Sequence, residues 1–128
     1  MIQQQTKGIQ ISVETFYQPD QSHPIRSEFL FVYRITIANH SAAPIQLLSR
    51  KWIISEGNGI KRIVEGEGVV GKQPVIHPGE SYQYVSAAHI RTEIGSMKGH
   101  YIMQQLPSQA ALLIPIPEFP LIAPFKLN

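Results

Sequence analysis

The sequence predicts an all-β protein, an antiparallel β-sandwich of about seven strands. Three observations carry that prediction. Apolar residues recur at every second position rather than every third or fourth. Glycine and proline, 9 and 10 residues of 128, punctuate the chain between those runs. No window of helical length carries a 3.6-residue apolar stripe with capping residues at its ends. Repeats, linkers and low-complexity tracts are all missing, so residues 1–128 read as a single domain.

The elements follow in order. Ile9, Ile11, Val13 and Tyr17 form one face of a first strand against Gln10, Ser12 and Glu14. Tyr17 to Arg26, with Pro19 and Pro24, reads as a loop. Phe29, Phe31, Tyr33, Ile35 and Ile37 then line one face of a long strand, while Arg34 and Thr36 sit among Leu30 and Val32 on the other. After a turn through Asn39 to Pro44, Ile45 to Ser55 places Leu48, Trp52 and Ile54 on one parity, with Trp52 as a core plug. Gly57-Asn58-Gly59 tolerates positive φ and closes a hairpin onto Ile60 to Glu65. His77-Pro78-Gly79-Glu80 has the residues of a type II turn. Tyr82, Tyr84, Ser86 and Ala88 alternate in the next strand, and Met97, Gly99, Tyr101 and Met103 in the one after. The last run, Ala110 to Leu121, carries Pro115, Pro117 and Pro120, which cannot donate to a ladder and so belong at a sheet edge.

Composition excludes several classes of function. With 43% hydrophobic residues, a chain of this length buries roughly two thirds of its unfolded surface and needs no staple. The absence of cysteine rules out disulfides and thiolate chemistry. Eleven Lys and Arg against nine Asp and Glu give a net charge of +2, too small to mark a nucleic-acid binder. No apolar run approaches the roughly 20 residues of a membrane-spanning helix, so no membrane insertion is expected. Met1 to Gly8 lacks the pattern of a secretory signal, which makes the cytoplasm the expected compartment.

The sharpest local pattern is Gly66-Glu67-Gly68-Val69-Val70-Gly71-Lys72. It matches the G-x-G-x-x-G dinucleotide fingerprint and nearly spells a phosphate loop, with Gln73 where a magnesium-binding hydroxyl would stand. Both devices need a helix immediately downstream, because its free N–H groups hold the phosphates. Pro74, Pro78 and Gly79 leave no room for one. What survives is a backbone nest for a small anion at Gly66, Gly68 and Gly71 with charge from Lys72. Residues 50–72 support it mildly, holding five basic residues against three acidic ones. The alternative is that these glycines only shape the backbone, as a bulge or a close strand crossing.

Other chemistry finds little footing. His23, His40, His77, His89 and His100 show no ligand spacing, so no metal site is expected. Glu65 and Glu67 share a strand face but stand near Lys61 and Arg62. Asp20 is the only aspartate, and Ser86 lies in a strand alternation rather than a nucleophile elbow. The expectation is therefore no catalytic residues, no cofactor and no enzyme, with an unrecognised phosphate-ester activity as the one alternative left open. The aromatic residues alternate as core positions and make no stacking platform for nucleic acid.

Three spaced motifs carry a resemblance: Gln46-Leu47-Leu48-Ser49-Arg50-Lys51-Trp52, the glycine string through Pro74, and Pro78-Gly79-Glu80 with Tyr82 to Ser86. Together with Gly95 to Tyr101 and Ile116 to Leu121, they make the chain resemble the bacterial ApaG family over nearly its whole length. The resemblance implies an immunoglobulin-like or fibronectin type III sandwich. It also implies an association with cobalt and magnesium efflux, and a kinship with protein-interaction modules in a eukaryotic F-box protein and a polymerase-interacting protein. It transfers a suggested pyrophosphate site onto Gly66, Gly68 and Gly71. A sandwich without spanning helices pumps no ions, so any effect on divalent cations would be indirect. The leading expectation is a noncatalytic domain that binds a protein partner, open to self-association through sheet edges near the proline-rich last strand. The competing one is a protein binding pyrophosphate, a nucleoside polyphosphate or another small anion through the glycine loop.

Overall fold

A computed structural model describes residues 1–127. Nine strands run in the order β1 (Ile2–Thr6), β2 (Ile9–Tyr17), β3 (Phe29–Asn39), β4 (Ile45–Glu56), β5 (Lys61–Glu67), β6 (Val75–Ile76), β7 (Ser81–Ile90), β8 (Ile94–Gln105) and β9 (Ala110–Ile122). Seven of them are the runs the alternation predicts. The two additions are the glutamine-rich β1, whose polar residues hide its strand character, and the two-residue β6. One sheet has the order β1-β2-β3-β7; the other has β5-β4-β8-β9, with β6 also on β4. All pairings are antiparallel. Short 3-10 turns at Pro19–Gln21 and Pro24–Arg26 occupy the predicted loop, and no α-helix occurs among the described residues.

Period-two patterning builds the core directly. Phe29, Phe31, Tyr33, Ile35 and Ile37 of β3 all face inward and are buried, as are Ile9, Ile11 and Val13 of β2. Trp52, on the central strand β4, meets Tyr33 and Phe119 with ring centroids 5.5 and 5.8 Å away. β9 lies at the sheet edge, where its prolines lack no ladder partner. The turn at His77 to Glu80 closes as expected, with Glu80 N–H donating to the His77 carbonyl at 2.9 Å.

β4 departs from the expected parity. Ile45 and Leu47 are buried at its start and Trp52 and Ile54 further on, while Leu48 is only half-buried. The register with β8 shifts between Leu47 and Ser49. One extra residue exchanges the two faces of a strand, so Leu48 leaves the core that its parity with Trp52 predicts.

Candidate functional site

The bulge at Leu48 anchors the glycine loop. Its carbonyl accepts the Gly68 N–H at 2.8 Å and the Gln73 Nε2 donor at 2.9 Å. Leu47 N–H donates to the Pro74 carbonyl at 3.0 Å. Between these ties the chain makes a second, two-residue hairpin. Val69 N–H donates to Lys72 O at 2.8 Å and Lys72 N–H returns to Val69 O at 3.0 Å. The central residues Val70 and Gly71 have φ of 48° and 76°. Reciprocal bonds around two positive-φ residues define a type I′ turn. Val69 is fully buried beneath it, whereas Val70, Gly71 and Lys72 are exposed.

Each glycine of the string has its own local task. Gly66 faces Arg50 in the β4–β5 ladder, and a Cβ there would stand 2.7 Å from Arg50 Nη1. The guanidinium uses that space to donate to the carbonyls of Glu67 at 3.2 Å and Gly68 at 2.9 Å. A Cβ on Gly68 would fall 2.2 Å from the Lys72 carbonyl oxygen, a contact no side chain survives. Gly71 has open space around it and is needed for its φ. The four residues Gly66, Gly68, Gly71 and Lys72 thus do lie in one small loop. Three of its N–H groups, those of Gly68, Val69 and Lys72, are already bonded to backbone carbonyls. Residues 72–80 hold β6 and turns instead of a helix. An anion at this loop would meet the turn tip and Lys72, not a ring of converging donors.

Other sequence candidates disperse. Among the described residues no group of three His, Asp or Glu side chains is placed to hold a metal ion. Glu65 and Glu67 lie on the outer sheet face beside Lys51 and His100, and Glu65 meets Lys51 Nζ at 3.9 Å. Ser86 stands opposite Tyr33 in the β3–β7 ladder and partly offsets the upward push that burial gives its phenol.

Two features escape sequence reasoning. The first is a buried tyrosine cluster, with the hydroxyls of Tyr84 and Tyr101 2.5 Å apart. Burial pushes the phenols of both, and of Tyr33, above the ordinary range, and the Tyr84 neighbour raises Tyr101 further. These tyrosines read as simple core positions in the alternation, and nothing local reveals that two from opposite sheets meet. The second is a cavity of about 350 Å³ at one end of the sandwich, lined by Arg62, His89, Arg91, Glu28 and Glu56 among others. Arg62 of β5 crosses to β7 there and donates to the His89 carbonyl at 2.5 Å. The sequence separates these residues by up to 63 positions, so only the fold assembles them. No helix of the described chain is long and apolar enough to cross a membrane.

Known proteins share both the sequence and this architecture. The family described as ApaG domain matches residues 19–105. Protein ApaG of Pectobacterium carotovorum subsp. carotovorum (strain PC1) is 46% identical over 118 residues, covering 92% of this chain and 94% of that one. Protein ApaG of Escherichia coli (strain K12 / DH10B) is 47% identical with the same coverage. A crystal structure from Bordetella pertussis, described as an ApaA protein, superposes with a TM-score of 0.88 at 38% identity, covering 91% of this chain and 94% of its own. A protein from Archaeoglobus fulgidus shares the fold alone, with a TM-score of 0.52 at 11% identity. Sequence likeness of this extent, on the same two sheets, settles the assignment: the chain belongs to the ApaG family.

Proposed function

We propose that this protein is a noncatalytic cytoplasmic binding domain that takes a protein partner by strand addition, and that any influence on cobalt or magnesium is exerted indirectly through that partner. The observation that supports this most is the contrast between the two edges of the β5-β4-β8-β9 sheet. β5 is guarded by Lys61, Arg62, Glu65 and Glu67, and Arg62 covers the His89 carbonyl of β7. The second half of β9 is guarded by Pro115, Pro117 and Pro120. Its first half, Ala110 to Ile114, has neither charge nor proline, and Leu113 is 51% exposed. An uncharged, apolar edge segment is the kind of surface that accepts an extended peptide or a second copy of the chain.

The competing reading, a pyrophosphate or nucleotide-polyphosphate site at Gly66, Gly68, Gly71 and Lys72, has fewer donors to work with, since three loop N–H groups are already bonded. Pull-down from cells with native protein, Leu113→Lys and Lys72→Gln separates the two. A reproducible partner lost with Leu113→Lys and kept with Lys72→Gln is the expected result. Recovery of no partner, or one indifferent to Leu113→Lys, overturns the proposal. Calorimetry against pyrophosphate and dinucleoside polyphosphates, with and without magnesium, gives the other arm; tight binding lost with Lys72→Gln favours the anion reading.

A further inference from the structure

Away from the glycine loop, the cavity at the end of the sandwich combines charge, shape and an apolar wall. Its volume of about 350 Å³ lies in the range of small-molecule sites. Ile60 and Ile90 supply carbon surface. Arg62 and Arg91 both line it, and neither forms an ion pair among the described residues. Arg62 uses one of its five N–H donors on the His89 carbonyl, which ties the guanidinium to β7 and leaves four donors. The fixed fork of a guanidinium matches the oxygens of a phosphate better than any other side chain does.

The acidic lining narrows the ligand. Glu56 is buried, and its Oε1 accepts the Arg91 backbone N–H at 2.9 Å, so it braces the segment that carries Arg91. Glu28 also lines the cavity and forms no ion pair among the described residues. An ionised carboxylate accepts hydrogen bonds and donates none. A ligand filling this space therefore presents an anion to the two arginines and hydroxyl donors to Glu28, with a carbon skeleton against the isoleucines. We propose that this cavity binds a small phosphate monoester of a polyol, a sugar phosphate, with the phosphate held by Arg62 and Arg91 and the hydroxyls by Glu28.

The test uses ribose 5-phosphate, with free ribose and inorganic phosphate as the separating arms. Titrations followed by calorimetry and by amide chemical shifts should show ribose 5-phosphate perturbing Glu28 and residues 89–91. Affinity should fall at least about tenfold in Arg91→Gln, because a charge-assisted bond to the phosphate is lost. That variant keeps the backbone N–H bond to Glu56, so its fold is maintained. Glu28→Gln should weaken ribose 5-phosphate and leave inorganic phosphate unchanged. Silence at millimolar ribose 5-phosphate, unchanged affinity in Arg91→Gln, or inorganic phosphate binding as tightly as the ester would each overturn the proposal.

Discussion

Arg50 occupies the space that a side chain on Gly66 would fill, with Nη1 2.7 Å from the position of the missing Cβ. Opposite each other on β4 and β5, the two residues form one device: the glycine lets the guanidinium lie flat and bond the carbonyls of Glu67 and Gly68. Gly66→Ala should displace the flexible end of Arg50 and cost about 1 kcal/mol, the worth of those bonds. Gly68→Ala drives a Cβ into the Lys72 carbonyl at a φ of 62° and should cost about 3 kcal/mol or more. Urea denaturation of the two variants checks the order, and equal losses would contradict it.

Val70 is a β-branched residue held at a φ of 48° on the exposed tip of the turn. Left-handed backbone costs an ordinary residue roughly 1–2 kcal/mol, and asparagine before glycine is the pair type I′ turns favour. Val70→Asn should therefore raise stability by about 1 kcal/mol, read as an increased Tm. A lowered Tm would show that Val70 is held there by packing stronger than its strain.

Trp52 is nearly fully buried, and its Nε1–H has no partner among the described residues. Trp52→Ala should cost about 3–5 kcal/mol by opening a cavity between Tyr33 and Phe119. Trp52→Phe removes the unpartnered donor along with the larger ring and should cost less than about 1.5 kcal/mol. Calorimetric unfolding of the pair tests this; similar losses would mean that the indole N–H is well satisfied.

The tyrosine cluster sets an alkaline limit. The phenols of Tyr84 and Tyr101 keep their protons in the folded protein well above 10.0, because burial disfavours the charged form, while unfolded phenols ionise near 10.0. The unfolded chain then binds fewer protons than the native one, so stability falls as pH rises beyond that value. The contribution is fully present below it. Denaturation midpoints should be level from about pH 7 to 9 and drop above 10. In Tyr101→Phe the drop should be shallower. The same variant should lose about 1–3 kcal/mol at neutral pH by leaving the Tyr84 hydroxyl without its partner.

Sheet architecture was legible because period two is local. Phe29 to Ile37 alternate in the chain and alternate between core and outer face in the protein. The prolines of β9 announce an edge since they remove ladder donors, wherever the strand lies. Pro74 and Pro78 likewise exclude a helix after Gly71 by their own φ and missing N–H. β1 was not legible, because three consecutive glutamines hide a strand that exists by pairing with Ile9 to Val13.

What the amino-acid sequence determined by itself was the set of seven long strands, four of the connections between them and the absence of a nucleotide-binding helix, all consequences of backbone preferences within a few residues. Only the tertiary structure decided that Leu48 bulges out of the core, that Tyr84 and Tyr101 share a hydrogen bond across the sheets, and that Arg62 and Arg91 line one cavity with Glu28. Those relations join strands that are distant in the chain, and register, rather than any local propensity, brings them together.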